Sequence, residues 1–493
     1  MADSLTDRIA ATVAHPATDD FFNVHGALDE VLAGLGLSAE DTGGSITFEG
    51  ADPVVPSPLR LGAASALALV AKSVAVAALH RARGGPGQDI AMDLRVAPHR
   101  LCPFYDRRWE LLNGYPAATP SNPTQALGFM FHRTRDDRWV MPLNPYPKIK
   151  VAAQKLLGTP DDPEAVAAAI ARWDGHELEE AGAATGVVMP LVRTPTEFLA
   201  EAQYRDHLAH APIVEIRKIG ESASEPLRPG AEQPLDGIRA LGMGHVIAGA
   251  GVGRTLALHG ADALNLWRPT ELEHDTTYVT ANVGVRSATL SPHRDRERIR
   301  ALLAGADVFY ANRRPGYLAS IGLSAEEAAE IRPGIIHATN SLNGTSGPWA
   351  DRVGFDQTAG ALTGMADLEG GGGAPRLSPI LVVNDYIVSW LTAAGVAAAL
   401  GRRAREGGSW AVHVSLSRVA SWILGLGVFD LGYAQEIADT GGEHAYLDPE
   451  TFTADTPMGR YQGVTDQVRM SATPGRYRHV LVPRGSSRPE WVS

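Results

Sequence analysis

The chain has 493 residues, 44% hydrophobic and 20% charged, ordinary proportions for a globular protein and enough for about two to four domains. A net charge of −12 argues against nucleic acid or an anionic membrane as partner unless basic residues gather locally. The one cysteine, Cys102, excludes an intrachain disulfide and a cysteine-rich metal centre, and no metal is expected.

The opening residues MADSLTDRIAATVAHP lack the apolar run of a signal peptide, so a cytoplasmic location is expected. Gly62 to Leu79, GAASALALVAKSVAVAAL, has almost the length of a membrane span but carries Lys72 at its middle. It reads as a buried, close-packed helix.

This stretch is also half of an internal repeat. Residues 62–94, GAASALALVAKSVAVAALHRARGGPGQDIAMDL, match 383–416, VNDYIVSWLTAAGVAAALGRRAREGGSWAVHVSL. Each is a small-residue helix ending in AAL, a basic turn, a glycine loop and a strand; basic residues followed by Gly are a helix stop. A second pair follows, RTRDDRWVMPLNPYP at 133–147 and SATPGRYRHVLVPRG at 471–485. LVPRGS at 481–486 coincides with an engineered protease site, but its place in the repeat marks it as native sequence. Alignment on AAL sets Ala64 opposite Asp385, so chemistry carried by Asp385 belongs to the second copy alone.

Residues 151–211 are helix-rich, with a capping box from Thr194 to Glu197 around Pro195. A polar, proline-containing linker covers 220–234. From 235 onward strand and helix patterns alternate, which predicts an α/β sheet of mostly parallel strands.

Three stretches here resemble the class III CoA-transferases (CaiB/BaiF type). PLDGIRALGMGHVIAGAGVGRTLALHGADALNL is similar to that family's opening strand, turn and helix. ADVFYANRRPGYLASIGLSAEEAAEIRPGIIHATNSLNGTSGPWADRVGFD is similar to its central motif, and Asp385 with the following helix occupies its nucleophile position. The resemblance implies a Rossmann-like parallel core with a small α+β domain. It divides the chain into a degenerate duplicate of the second half of the core (1–132), a small domain and return segment (133–219), the linker, the core with the active site (235–430), and the start of a second small-domain-like segment (431–493). This is a permuted, half-plus-whole arrangement. The family also implies acyl-CoA and a carboxylic acid as reactants, no tightly bound cofactor, and a homodimer.

Taken alone, Asp385 reads as a helix N-cap; in the family motif it is the nucleophile that becomes an anhydride and then an aspartyl-CoA thioester. An ordinary aspartate is ionised at neutral pH, and free N–H groups at the helix start would stabilise an oxyanion. The resemblance places coenzyme A against His245, Val246, Ile247, Ala248, Arg268, Arg286, Asn312 and Arg313, the arginines suiting phosphates through their forked donors. Trp267, Val285 and Ser320 replace residues usual at this site, which puts the grip on coenzyme A in question. Phe355 and Asp356 are auxiliary candidates. Phe355 stands where the racemase branch has a histidine and cannot move a proton; Asp356 either positions substrate or is structural. The expected activity is CoA transfer, with a racemase or isomerase, or a non-catalytic CoA-binding protein, as alternatives.

Overall fold

The structure, a computed structural model, describes residues 4–117 and 126–492. The first repeat copy folds as strand β1 (Gly43–Glu49), helix α1 (Leu61–Ala82) and strand β2 (Gln88–Asp93). Helix α2 (Pro147–Leu157) follows, begun by Pro147 at its first position and stopped by Gly158 with φ 67. Strand β3 (Glu215–Gly220) then leads into the core.

The core alternates β4 (Arg239–Met243), α3 (Ala250–Leu258), β5 (Asp262–Trp267), β6 (Arg286–Thr289), β7 (Val308–Ala311), β8 (Ile336–Ser341), α4 (Asp356–Thr363), α5 (Asp385–Glu406) and β9 (Ser409–Ser415). One seven-stranded sheet results, in the order β3-β9-β8-β7-β4-β5-β6. All neighbours are parallel except β3, which lies antiparallel to β9 at the edge. Every residue of β7 and of β9 is buried, as expected for strands covered on both faces. The six strands from β4 to β9 are doubly wound, and the winding reverses between β4 and β7. Sheets of this kind bind ligands in the crevice beyond the strand ends at that reversal.

The two repeat helices, each 22 residues long, pack along one another. Helix α1 is long and apolar enough to cross a membrane, yet 94% of its most apolar stretch is buried inside the fold. Lys72 is fully buried; its ammonium pairs with Asp466 and lies 3.2 Å from His259 Nε2. Burial and the adjacent Lys72 push His259 down to about 3, so its ring is neutral.

The repeat extends to a detail that sequence alone does not show. Asp52 accepts N–H bonds from Gly62 (3.0 Å) and Ala63 (2.7 Å) at the start of α1. These residues align with Val383 and Asn384, whose N–H groups Asp356 accepts at the start of α5. The first copy therefore keeps the carboxylate that holds the helix start while Ala64 stands in place of Asp385.

The stretches 1–132 and 431–493 share their sheets. Strand β10 (Val468–Met470) pairs antiparallel with β2, and the hairpin 451–464 pairs with Leu111–Leu112. LVPRGS is woven into the fold: Leu481 is buried, and the Val482 carbonyl accepts from Tyr278 Oη (2.8 Å).

Candidate active site

The turn after β4 is clamped by two asparagines. Asn265 accepts from the Gly244 N–H (2.8 Å) and donates to its carbonyl (3.0 Å). Asn312, at the end of β7, does the same for His245, at 2.8 Å in each direction. Val246 is thereby held at φ 57, a left-handed conformation that a β-branched residue rarely adopts, and its N–H donates to Glu273 (2.7 Å). Such strain persists only where surrounding bonds over-determine the backbone, and it clusters at ligand-binding turns. Both polar atoms of the Asn312 side chain are thus spent on positioning the turn.

Asp385 is the first residue of α5 and is only 6% exposed, at the floor of the cleft. Behind it, buried Asp356 accepts N–H bonds from Val383 (3.1 Å), Asn384 and Asp385 (2.8 Å). Two expectations change here. The amides at the start of α5 are engaged by Asp356 and are not free for an oxyanion. Asp385 is not an ordinary aspartate either: burial, and then the charge of Asp356, push its carboxyl well above the usual range. Burial raises Asp356 too, but its three amide donors oppose this, so Asp356 is the member of the pair that ionises more readily.

Above Asp385 opens a cleft of about 780 Å³, within the range of small-molecule sites. The core contributes His245, Val246, Ala248, Asn312 and Phe355, while Tyr146, Lys148, Ile149 and Val188 come from the N-terminal half. Tyr146 stacks on Phe355 (6.0 Å between centroids, 13° between planes) and donates to Glu273 (2.9 Å). Phe355 therefore forms apolar wall.

The predicted arginines divide. Arg268 lines the cleft and bonds Glu271 (3.1 Å), and Arg313 pairs with the same carboxylate. Arg313 is the leading cause holding Glu271 ionised down to about 2 against its burial. Arg286 does not reach the cleft: it is committed to a bidentate pair with Asp262 (2.8 Å twice) and to the Glu490 carbonyl. Ile247 is also turned inward, at 2% exposure, and its carbonyl accepts from Gly251 N–H (2.7 Å). Sequence reasoning missed Tyr146, Asn265, Glu271 and Glu273; only the nearness of Glu271 to Arg268 was a local signal.

Residues 235–458 match the family model described as CoA-transferase family III. A succinyl-CoA–L-malate CoA-transferase alpha subunit from Chloroflexus aurantiacus is 30% identical over 222 residues, covering 41% of this chain and 52% of the relative. Succinyl-CoA:glutarate CoA-transferase of Homo sapiens is 28% identical over 189 residues, 36% of this chain and 43% of the relative. The chain spans about half, or less, of the length of the curated relatives it matches. Among solved structures, a CaiB/BaiF family protein from Brucella suis aligns with a TM-score of 0.35 and 28% identity, over 39% of this chain and 55% of that one.

Proposed function

We propose that the chain transfers coenzyme A between an acyl-CoA thioester and a carboxylic acid, with Asp385 as nucleophile. The observation that carries this is the placement of Asp385: a carboxyl at the floor of the cleft, beneath the clamped turn, inside the family III segment. A carboxylate oxygen of Asp385 attacks the thioester carbonyl carbon; the C–S bond breaks and the CoA thiolate leaves, giving a mixed anhydride. The thiolate then attacks the Asp385 carbonyl, releasing the donor acid and forming an aspartyl-CoA thioester. An acceptor carboxylate reverses the two steps.

Burial and then the charge of Asp356 raise the Asp385 carboxyl, and it attacks as its carboxylate. Desolvation then favours reaction, because an anion without a water shell is a stronger nucleophile. Asp356 fixes the first turn of α5, and so the position of the Asp385 carboxyl, through its three amide bonds. Phe355 and Tyr146 exclude water from one side. Coenzyme A and acyl-CoA are substrates in this scheme; cytoplasmic location and pairing into a homodimer belong to the same proposal.

The test is isotope exchange. Labelled carboxylic acids, incubated with a panel of unlabelled acyl-CoAs, should enter the thioester pool with wild type and not with Asp385→Asn. No exchange across a broad panel would refute transfer, and deuterium wash-in at the acyl α-carbon would favour a racemase instead.

A further inference from the structure

Helix α5 carries Asp385 at its head and, on the same helical face, the buried hydroxyls of Ser389 and Thr392. Ser389 Oγ lies 2.9 Å from the Ala248 carbonyl, 3.2 Å from that of Ile247 and 3.0 Å from that of Asp385. It has one proton to donate. The bond to Asp385 stays within the helix, whereas the shorter bond to Ala248 crosses to the clamped turn. Helix α3 passes so close here that a Cβ at Gly251 would meet Ser389 Oγ at 2.6 Å. Further along the same face, Thr392 accepts from Asn340 (2.6 Å), a residue of β8 that lines the cleft.

The first repeat copy supplies an internal comparison. Helix α1 has the same length and keeps, in Asp52, the carboxylate that holds its start. Its residues opposite Asp385, Ser389 and Thr392 are Ala64, Ala68 and Ala71, all fully buried. Alanine therefore meets the packing needs of such a helix at these places, and building it does not require a hydroxyl at 389. Helix α1 does hold buried serines, and they bond within the helix: Ser65 donates to the Leu61 carbonyl (2.6 Å) and Ser73 to the Leu69 carbonyl (2.9 Å). In the copy that carries the carboxyl, the hydroxyl reaches out of its helix to the turn.

We propose that Ser389 is a positioning residue for transfer, its hydroxyl fixing the turn that lies against the thioester to the helix that carries the attacking carboxyl. This rests on the reading of Asp385 as nucleophile. Ser389 follows Asp385 by one helical turn, about 6 Å along α5 at roughly 1.5 Å per residue. Its bond to Ala248, which lines the cleft, holds the turn at a set level relative to the carboxyl. Attack needs the carboxylate oxygen and the carbonyl carbon about 3–3.5 Å apart, and small displacements from that geometry are costly. Asp356 fixes the start of α5, and Ser389 fixes the turn against that helix.

Single-turnover formation of the Asp385 adduct, followed by rapid quench and intact-protein mass spectrometry, tests this. The probe is the acyl-CoA that exchanges fastest in the panel above, taken over a range of concentrations so that rate and binding separate. Ser389→Ala should lower the maximal rate about tenfold, the worth of one buried hydrogen bond, and move half-saturation by less than about twofold. The alanine at position 68 shows that such a helix accommodates the change. Ser73→Ala, which removes a buried hydroxyl bonded within α1, should leave the rate unchanged. An unchanged maximal rate in Ser389→Ala, a loss confined to half-saturation, or an equal slowing in Ser73→Ala overturns the assignment. A wild-type protein that forms no adduct removes the reading of Asp385 as nucleophile, and the proposal with it.

Discussion

Replacing Glu369 by Gln should leave stability unchanged below about pH 4 and raise it above that of the parent near about pH 8. Glu369 lies behind the site, beside the same small cavity as Asp356 and Asn384. It is 5% exposed, and its carboxyl accepts a hydrogen bond from Ser57 Oγ (2.7 Å). Burial raises its carboxyl from 4.5 to about 8, opposed by the Ser57 bond alone. Between those values the folded protein binds a proton that the unfolded chain has released, so stability falls as pH rises through the interval. At about 1.4 kcal/mol per unit, the shift corresponds to a loss on the order of 5 kcal/mol by the time Glu369 ionises. Gln keeps an acceptor for Ser57 and does not titrate. Urea unfolding of parent and variant across this pH range gives the difference directly, in which the other raised carboxyls, Asp52 and Glu110 among them, cancel. Parallel stability curves would mean that Glu369 is solvated and ionised, and would refute the reasoning.

Other outcomes follow from the same geometry. Asp385→Asn should abolish transfer without lowering the thermal midpoint, because burial already disfavours the charged form of the parent side chain. The rate of the first half-reaction should climb with pH above the ordinary aspartate range, and Asp356→Asn, which removes the neighbouring charge, should move that climb to lower pH in a quenched-flow profile. Lys72→Met should cost about 3 kcal/mol by leaving the mostly buried Asp466 without its partner, and Lys72→Met with Asp466→Leu should recover most of it in urea melts.

Much of the core was legible because its information is local. Alternation of strand and helix patterns from 235 gave the parallel sheet, and the small-residue repeat gave two helices of equal length with Asp385 at the head of one. The raised carboxyl of Asp385 was not legible, since it depends on burial in the fold and on Asp356, which comes from a separate helix start 29 residues earlier. Arg286 reads as a phosphate ligand until the fold sets Asp262 of the neighbouring strand beside it. Glu271 likewise pairs with two arginines that the resemblance sets against phosphate, Arg268 and Arg313. Tyr146 escaped notice because its role arises only when the N-terminal half closes over the core. The sharing of sheets between residues 43–112 and 451–470 is long-range pairing, which no local pattern specifies.

The central claim is that Asp385 forms a covalent thioester with coenzyme A. Intact-protein mass spectrometry after incubation with acyl-CoA, followed by peptide mapping, addresses it most directly. The account predicts a mass gain of one coenzyme A less one water, located at Asp385, removed by hydroxylamine and absent from Asp385→Asn. An adduct that maps to another residue, or transfer that persists in Asp385→Asn, would contradict it.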